Sequence, residues 1–138
     1  MSRGLTFHYK HTVDDRYRPI VPIEFSHSGQ TIRYEVLVDS GADRCIIPGD
    51  VGRAIGLDIE SGESFKLGGV TGKPETGYFH MVTITVGKYT YRTKVGFMDA
   101  MRDDAFGMVG QKGFFDRFAV KFDYSEHKIV LHKKPWIY

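Results

Sequence analysis

The chain has 138 residues, 41% hydrophobic and 26% charged, the make-up of a globular protein of one domain with a core of its own. A formal net charge of +2 is too small to indicate nucleic-acid binding, and no apolar run resembles a signal peptide or membrane span. The one cysteine, Cys45, excludes an intrachain disulfide framework, so the expectation is a soluble, cytoplasmic protein with neither nucleic acid nor membrane as partner.

Residues 1–17 are polar and irregular and read as an N-terminal arm or first edge strand, with the folded domain spanning 18–138. "RPIVPIEF" alternates apolar residues, and Pro22 within it predicts an edge strand. "SHSG" is a turn, and "QTIRYEVLVD" is the next strand, completing a hairpin and becoming wholly apolar before Asp39. "GDVGRAIGLD" predicts a short helix with Asp50 as N-cap, Val51, Ala54 and Ile55 at helical spacing, and Gly56 as its stop. Gly68, Gly69, Gly72, Pro74 and Gly77 make a turn-rich segment between two strands. "HMVTITV" and "YTYRTKVGFM" alternate about Gly87-Lys88 as a second hairpin, and "DAMRDDAF" is a charged loop. "GMVGQKGFFDRFAVKFD" predicts a short apolar element and then a helical turn over Phe114–Phe118. Two strands around Ser125-Glu126 end the chain. The fold class is therefore all-β, mainly strands with two short helices.

Several motifs fail on chemistry. "GGVTGKP" is one residue short of a phosphate-binding loop and has Pro74 where a magnesium-binding hydroxyl belongs. "GMVGQKG" lacks the dinucleotide spacing. His8 and His11 lie near Asp14, and His127 and His132 lie in the last hairpin, but no second cysteine or helical HExxH accompanies them. Cys45 has no nearby histidine and reads as a small buried side chain. Ser40 is not in a GxSxG elbow.

What survives is Asp39-Ser40-Gly41 at the end of the apolar strand "YEVLV". Burying an ionised carboxylate is unfavourable unless it is paired or hydrogen-bonded, so the strand either holds an acid for chemistry or starts a turn. Ala42 follows, then the apolar run Cys45-Ile46-Ile47. Farther along, Met108-Val109-Gly110 repeats the pattern of an apolar pair meeting a glycine.

Over roughly residues 18 to 134 these features resemble the retropepsin-like aspartic proteases, the single-lobe, retroviral-type family. "LVDSGADRCIIP" is similar to the catalytic loop, "KLGGVTGKPETGYF" to the flap hairpin, and "GMVGQKGFFDRFAVKFD" to the apolar-apolar-Gly segment. The family usually has D-T-G where this chain has D-S-G, and both the flap and the N-terminal arm are longer here than in a minimal retroviral enzyme. The resemblance implies a closed acid-protease β-barrel and an aspartic endopeptidase acting on a peptide or protein without metal or cofactor. Asp39, Ser40 and Gly41 would be catalytic; Ala42, Gly69, Val70, Thr71 and Val109 would bind substrate, with Val70 and Thr71 at the flap tip. Ala42, where two-lobed acid enzymes often have Ser, implies a dyad active nearer neutral pH. D-[ST]-G occurs once, so each chain would supply half a dyad and the enzyme would be a homodimer. The resemblance further implies an intersubunit sheet of the termini, which "KPWIY" would suit, ordinary packing of Trp136 and Tyr138 being the alternative. The competing readings are a retropepsin fold kept as a weakly active peptide-binding or dimerisation module, and an unrelated small β-barrel.

Overall fold

The computed structural model describes residues 4–68, 72–101 and 106–135. In chain order its elements are β1 (Leu5–His8), β2 (Lys10–His11), β3 (Tyr17–Arg18), β4 (Ile20–His27), β5 (Gln30–Val38), β6 (Ile46–Pro48), α1 (Gly49–Ala54), a 3-10 turn (Ile59–Ser61), β7 (Glu63–Leu67), β8 (Glu75–Val86), β9 (Tyr89–Met98), β10 (Gly107–Val109), β11 (Phe118–Asp123) and β12 (Lys128–Lys133). The sequence expectations for Gly69, Val70, Thr71, Trp136 and Tyr138 lie outside the described residues.

The large sheet runs β4-β5-β10-β6-β9-β8-β7, and β4 pairs again with β8, so its first six strands close on themselves. Closure follows from inward alternation. Val21, Ile23 and Phe25 of β4, Val82, Ile84 and Val86 of β8, and Val95 and Phe97 of β9 all fall inside, each at most 1% exposed. Burying each such side chain contributes about 1.5–3 kcal/mol. A second sheet, β1-β12-β11, adds Phe118, Ile129 and Leu131 to the same core. The expected arm thus includes an edge strand, β1, registered Leu5↔Leu131 to His8↔Lys128 on β12, followed by a small β2–β3 hairpin.

Both predicted hairpins form. Ser28 and Gly29 have φ of 47° and 82°, the type I′ pattern that matches strand twist. At the β8–β9 turn only Gly87, not Lys88, has positive φ, at 58°, the type II′ pattern.

Three local expectations change. Pro22 does not make all of β4 an edge: Glu24–Ser26 pair with β8, while Pro22 lies in the half of the strand paired only to β5. Val38 N–H donates to the Pro19 carbonyl at 2.9 Å, and ladder alternation then places Pro22 where no N–H is required. Asp50 does not cap α1. Pro48 occupies that position without a side-chain cap bond, and the Asp50 carboxylate instead pairs with Arg53 at 3.2 Å. The predicted helical turn at Phe114–Phe118 is an irregular turn. Phe115 and Asp116 N–H groups reach back five residues to Gly110 and Gln111, whereas Arg117 and Phe118 both return to the Phe114 carbonyl. The second short helical element is the 3-10 turn at Ile59–Ser61.

Candidate active site

Asp39 follows β5 directly, and β5 lies parallel to β10 with Val38 opposite Val109. Asp39 N–H donates to the Val109 carbonyl at 3.0 Å, which carries the ladder one residue past the strand. The chain then turns: Ala42 N–H donates to the Asp39 carbonyl at 3.2 Å, and Gly41 N–H donates to Asp39 Oδ1 at 2.9 Å. A Cβ on Gly41 would stand 3.3 Å from that same oxygen, a tight contact relieved only by a shift of a few tenths of an ångström. Asp39 is half-buried, less enclosed than the apolar strand before it led one to expect. Among the described residues it has no ion-pair partner.

The turn after β10 clamps this loop from the side. Gln111 N–H donates to the Ala42 carbonyl at 2.8 Å and Lys112 N–H to the Asp43 carbonyl at 3.0 Å. The Gln111 side chain adds a bond from Nε2 to the Ser40 carbonyl at 3.1 Å. Gly110 fits between them: a Cβ there would lie 2.4 Å from the Ala42 carbonyl oxygen and 2.7 Å from that of Arg44. Ser40 is exposed and its hydroxyl makes no hydrogen bond among the described residues, so its contribution to the loop here is the carbonyl. Gly110 belongs to the apolar-apolar-Gly pattern read from the sequence, whereas Gln111, the next residue, was not singled out there.

Side chains alternate along a strand, so Leu37 shares a face with Asp39, and Met108 is registered opposite Leu37. That face floors a cleft of about 1210 Å³ lined by Leu37, Met108, Phe106 and the β2–β3 hairpin, among others. Val109, expected to line a substrate pocket, points the other way and is 0% exposed in the core. A shift of one residue exchanges the two faces, and Met108 occupies the exposed one. Ala42 is half-buried beside the acid.

The glycine-rich segment connects a real hairpin, with β7 and β8 in register from Glu63↔Phe79 to Leu67↔Glu75. Phe65 anchors it. Cβ atoms on Gly77 and Gly96 would lie 2.3 and 2.8 Å from the Phe65 ring, so the two glycines form a slot, and Phe65 also stacks on Phe79 with centroids 4.3 Å apart. Elsewhere, burial pushes the Cys45 thiol up to about 11, an unreactive state. Among the described residues no group of three His, Cys, Asp or Glu is placed to hold a metal ion. No helix among them is long and apolar enough to cross a membrane.

A closed six-strand barrel with a D-S-G loop at the end of one strand, braced by a short apolar strand and glycine, defines the retropepsin-like fold. Solved structures agree on that fold. The EIAV protease complexed with the inhibitor HBY-793 superposes with a TM-score of 0.51 at 19% identity, covering 72% of this chain and 88% of that one. A retropepsin-like aspartic protease from Rickettsia conorii gives 0.63 at 13% identity, covering 95% and 96%. The sequence itself matches the family model described as "Aspartyl protease" over residues 21–112, more than half its length, and the chain belongs to that family. Among curated proteins none matches it.

Proposed function

We propose that this protein is an aspartic endopeptidase that works as a homodimer, with Asp39 of each subunit facing its copy. The observation that carries the reading is the state of Asp39. One carboxylate oxygen is held by the Gly41 amide, no cation among the described residues neutralises the group, and the surrounding loop is fixed by hydrogen bonds from Gln111 and Lys112.

Two carboxylates about 3 Å apart cannot both ionise and share one proton. The ionised member takes a proton from a water whose oxygen attacks the scissile carbonyl carbon. The protonated member hydrogen-bonds the carbonyl oxygen and stabilises the gem-diol. Collapse of the gem-diol then breaks the C–N bond, with a carboxyl proton passing to the leaving amine. The Ser40 hydroxyl braces the paired loops across the dimer axis, and Ala42 lines a side-chain pocket. The β7–β8 hairpin closes over an extended peptide, and Gly69, Val70 and Thr71 are among the residues that bind it. The proteolytic unit is residues 18–138, and a cytoplasmic setting suits its single, buried thiol.

Asp39→Asn tests this. Peptide hydrolysis should fall by about 10²–10⁴-fold, the usual contribution of an acid–base pair, while sedimentation still reports a dimer. Cleavage that persists undiminished would sink the dyad mechanism.

A further inference from the structure

The cleft floored by Leu37, two residues before Asp39, has one wall that the matched family segment, residues 21–112, does not include. This wall is the β2–β3 hairpin, whose Lys10 to Asp14 and Arg18 line the cleft opposite β5. On β5, Arg33, Glu35 and Leu37 fall on one face, and Asp39 is the next residue of that parity. At a rise of about 3.3 Å per residue, Leu37 stands ~7 Å from the acid and Arg33 ~20 Å away.

The hairpin is tied in place at both ends. Lys10 Nζ reaches Glu35 Oε1 on the cleft floor at 2.5 Å. Tyr17 stacks on His127 of the β11–β12 turn, centroids 3.8 Å apart and planes 9° from parallel, and His11 stacks on Tyr17 at 4.6 Å. Within the hairpin, Arg18 pairs with Asp14 at 2.9 Å. These contacts neutralise Lys10 and Arg18. Arg33 makes no ion pair among the described residues, although Glu24 is its cross-strand partner. At the hairpin tip, Val13 is fully exposed, an apolar side chain at the cleft rim with nothing packed on it among the described residues.

We propose that the β2–β3 hairpin is a specificity wall. A large apolar substrate side chain enters between Val13 on that wall and Leu37, Met108 and Phe106 opposite, and Arg33 at the far end selects an acidic side chain on the same peptide. The inference rests on the reading of Asp39 as the catalytic acid and adds what the hairpin and Arg33 select: a side chain packed against Val13 and an acidic residue several positions away on the same peptide.

The test is a peptide library cleaved by wild type, Val13→Asp and Arg33→Glu, with dimerisation and melting checked for each. Wild type should prefer Asp or Glu over Lys at one outlying position by roughly fivefold, the scale of a partly exposed charge pair. Arg33→Glu should reverse that preference, and added salt should weaken it. Val13→Asp should lower kcat/KM for peptides with large apolar side chains about tenfold, through KM, with kcat kept within about twofold of wild type since the acid is untouched. Profiles that superimpose on wild type for both variants overturn the proposal. The same peptides are also measured for binding to Asp39→Asn by fluorescence anisotropy, alone and combined with Arg33→Glu or with Val13→Asp. Absent turnover in wild type with Arg33-dependent binding refutes the protease reading but supports the wall, whereas binding indifferent to both Arg33 and Val13 overturns the wall even if turnover is normal.

Discussion

Replacing Gly110 by Ala perturbs the catalytic loop through one methyl group. Gly110 has no positive φ, so the backbone accepts alanine and the effect is purely steric. The new Cβ would sit 2.4 Å from the Ala42 carbonyl oxygen, 2.7 Å from the Arg44 carbonyl oxygen and 2.9 Å from the Ala42 carbonyl carbon. Ordinary contact begins near 3.4 Å, so the loop must retreat by about 1 Å. All three obstructing atoms are backbone, and no side chain can rotate away to relieve them. Overpacking of this kind destabilises by about 1–3 kcal/mol. The catalytic effect should be larger, because the loop that retreats begins at Asp39, and a displacement of 1 Å in a reacting group lowers the rate by about 10²-fold. Initial rates on a peptide that wild type cleaves, with urea unfolding and sedimentation alongside, separate the terms. A folded dimer whose kcat has dropped by about two orders of magnitude is the expected result. A folded Gly110→Ala dimer within threefold of wild-type kcat would refute the claim that the β10 turn sets the position of the acid.

Tyr91 donates its hydroxyl to the Gly113 carbonyl at 2.7 Å in the core; Tyr91→Phe leaves that acceptor unpaired and should reduce unfolding free energy by about 1–3 kcal/mol, read as a lower urea midpoint. Cys45 is 0% exposed with its thiol pushed up to about 11 by burial, so a thiol reagent at neutral pH should label it only as fast as the protein unfolds, and rapid native labelling would contradict its packing. Asp99 is held below the usual carboxylate range, chiefly by the hydrogen bond from Arg53. A depressed folded pKa contributes stability above the unfolded value, about 3.9, and that contribution is lost as pH falls through the folded pKa. Asp99→Asn should therefore melt below wild type at pH 7, with the gap narrowing as pH falls below about 4; a gap independent of pH would mean that the carboxylate charge is not what matters.

Alternation made β8 and β9 legible, because Val82, Ile84 and Val86 recur at a period of two and the turn between them has a residue suited to positive φ. The Asp39 loop was legible for a different reason. An acid, a small hydroxyl and a glycine directly after an apolar strand is a local pattern, and the Gly41 N–H bond to Asp39 is a local interaction. Phe114–Phe118 misled because apolar residues at i, i+1 and i+4 imitate one helical turn. Here the aromatic rings are drawn inward by tertiary packing, with Phe114 and Phe118 centroids 5.2 Å apart, and the backbone bonds follow the packing instead of a helix. Propensity over five residues is too weak to prevail against that burial.

The remaining gap concerns relationships between distant segments, and the pocket-lining residue shows why it matters for function. Whether Met108 or Val109 faces the cleft depends only on how β10 registers against β5. The sequence holds an apolar side chain at both positions, and either would satisfy a strand buried on both faces. The register is fixed from outside the strand: Gly107 lies where a Cβ would meet the Tyr34 ring at 2.8 Å, and Gly110 lies between two carbonyls of the Asp39 loop. Sliding β10 by one residue would drive side chains into both places and turn Met108 into the core. The glycine that opens the strand and the one just past its end therefore choose which residue a substrate meets, though neither has a side chain with which to touch it.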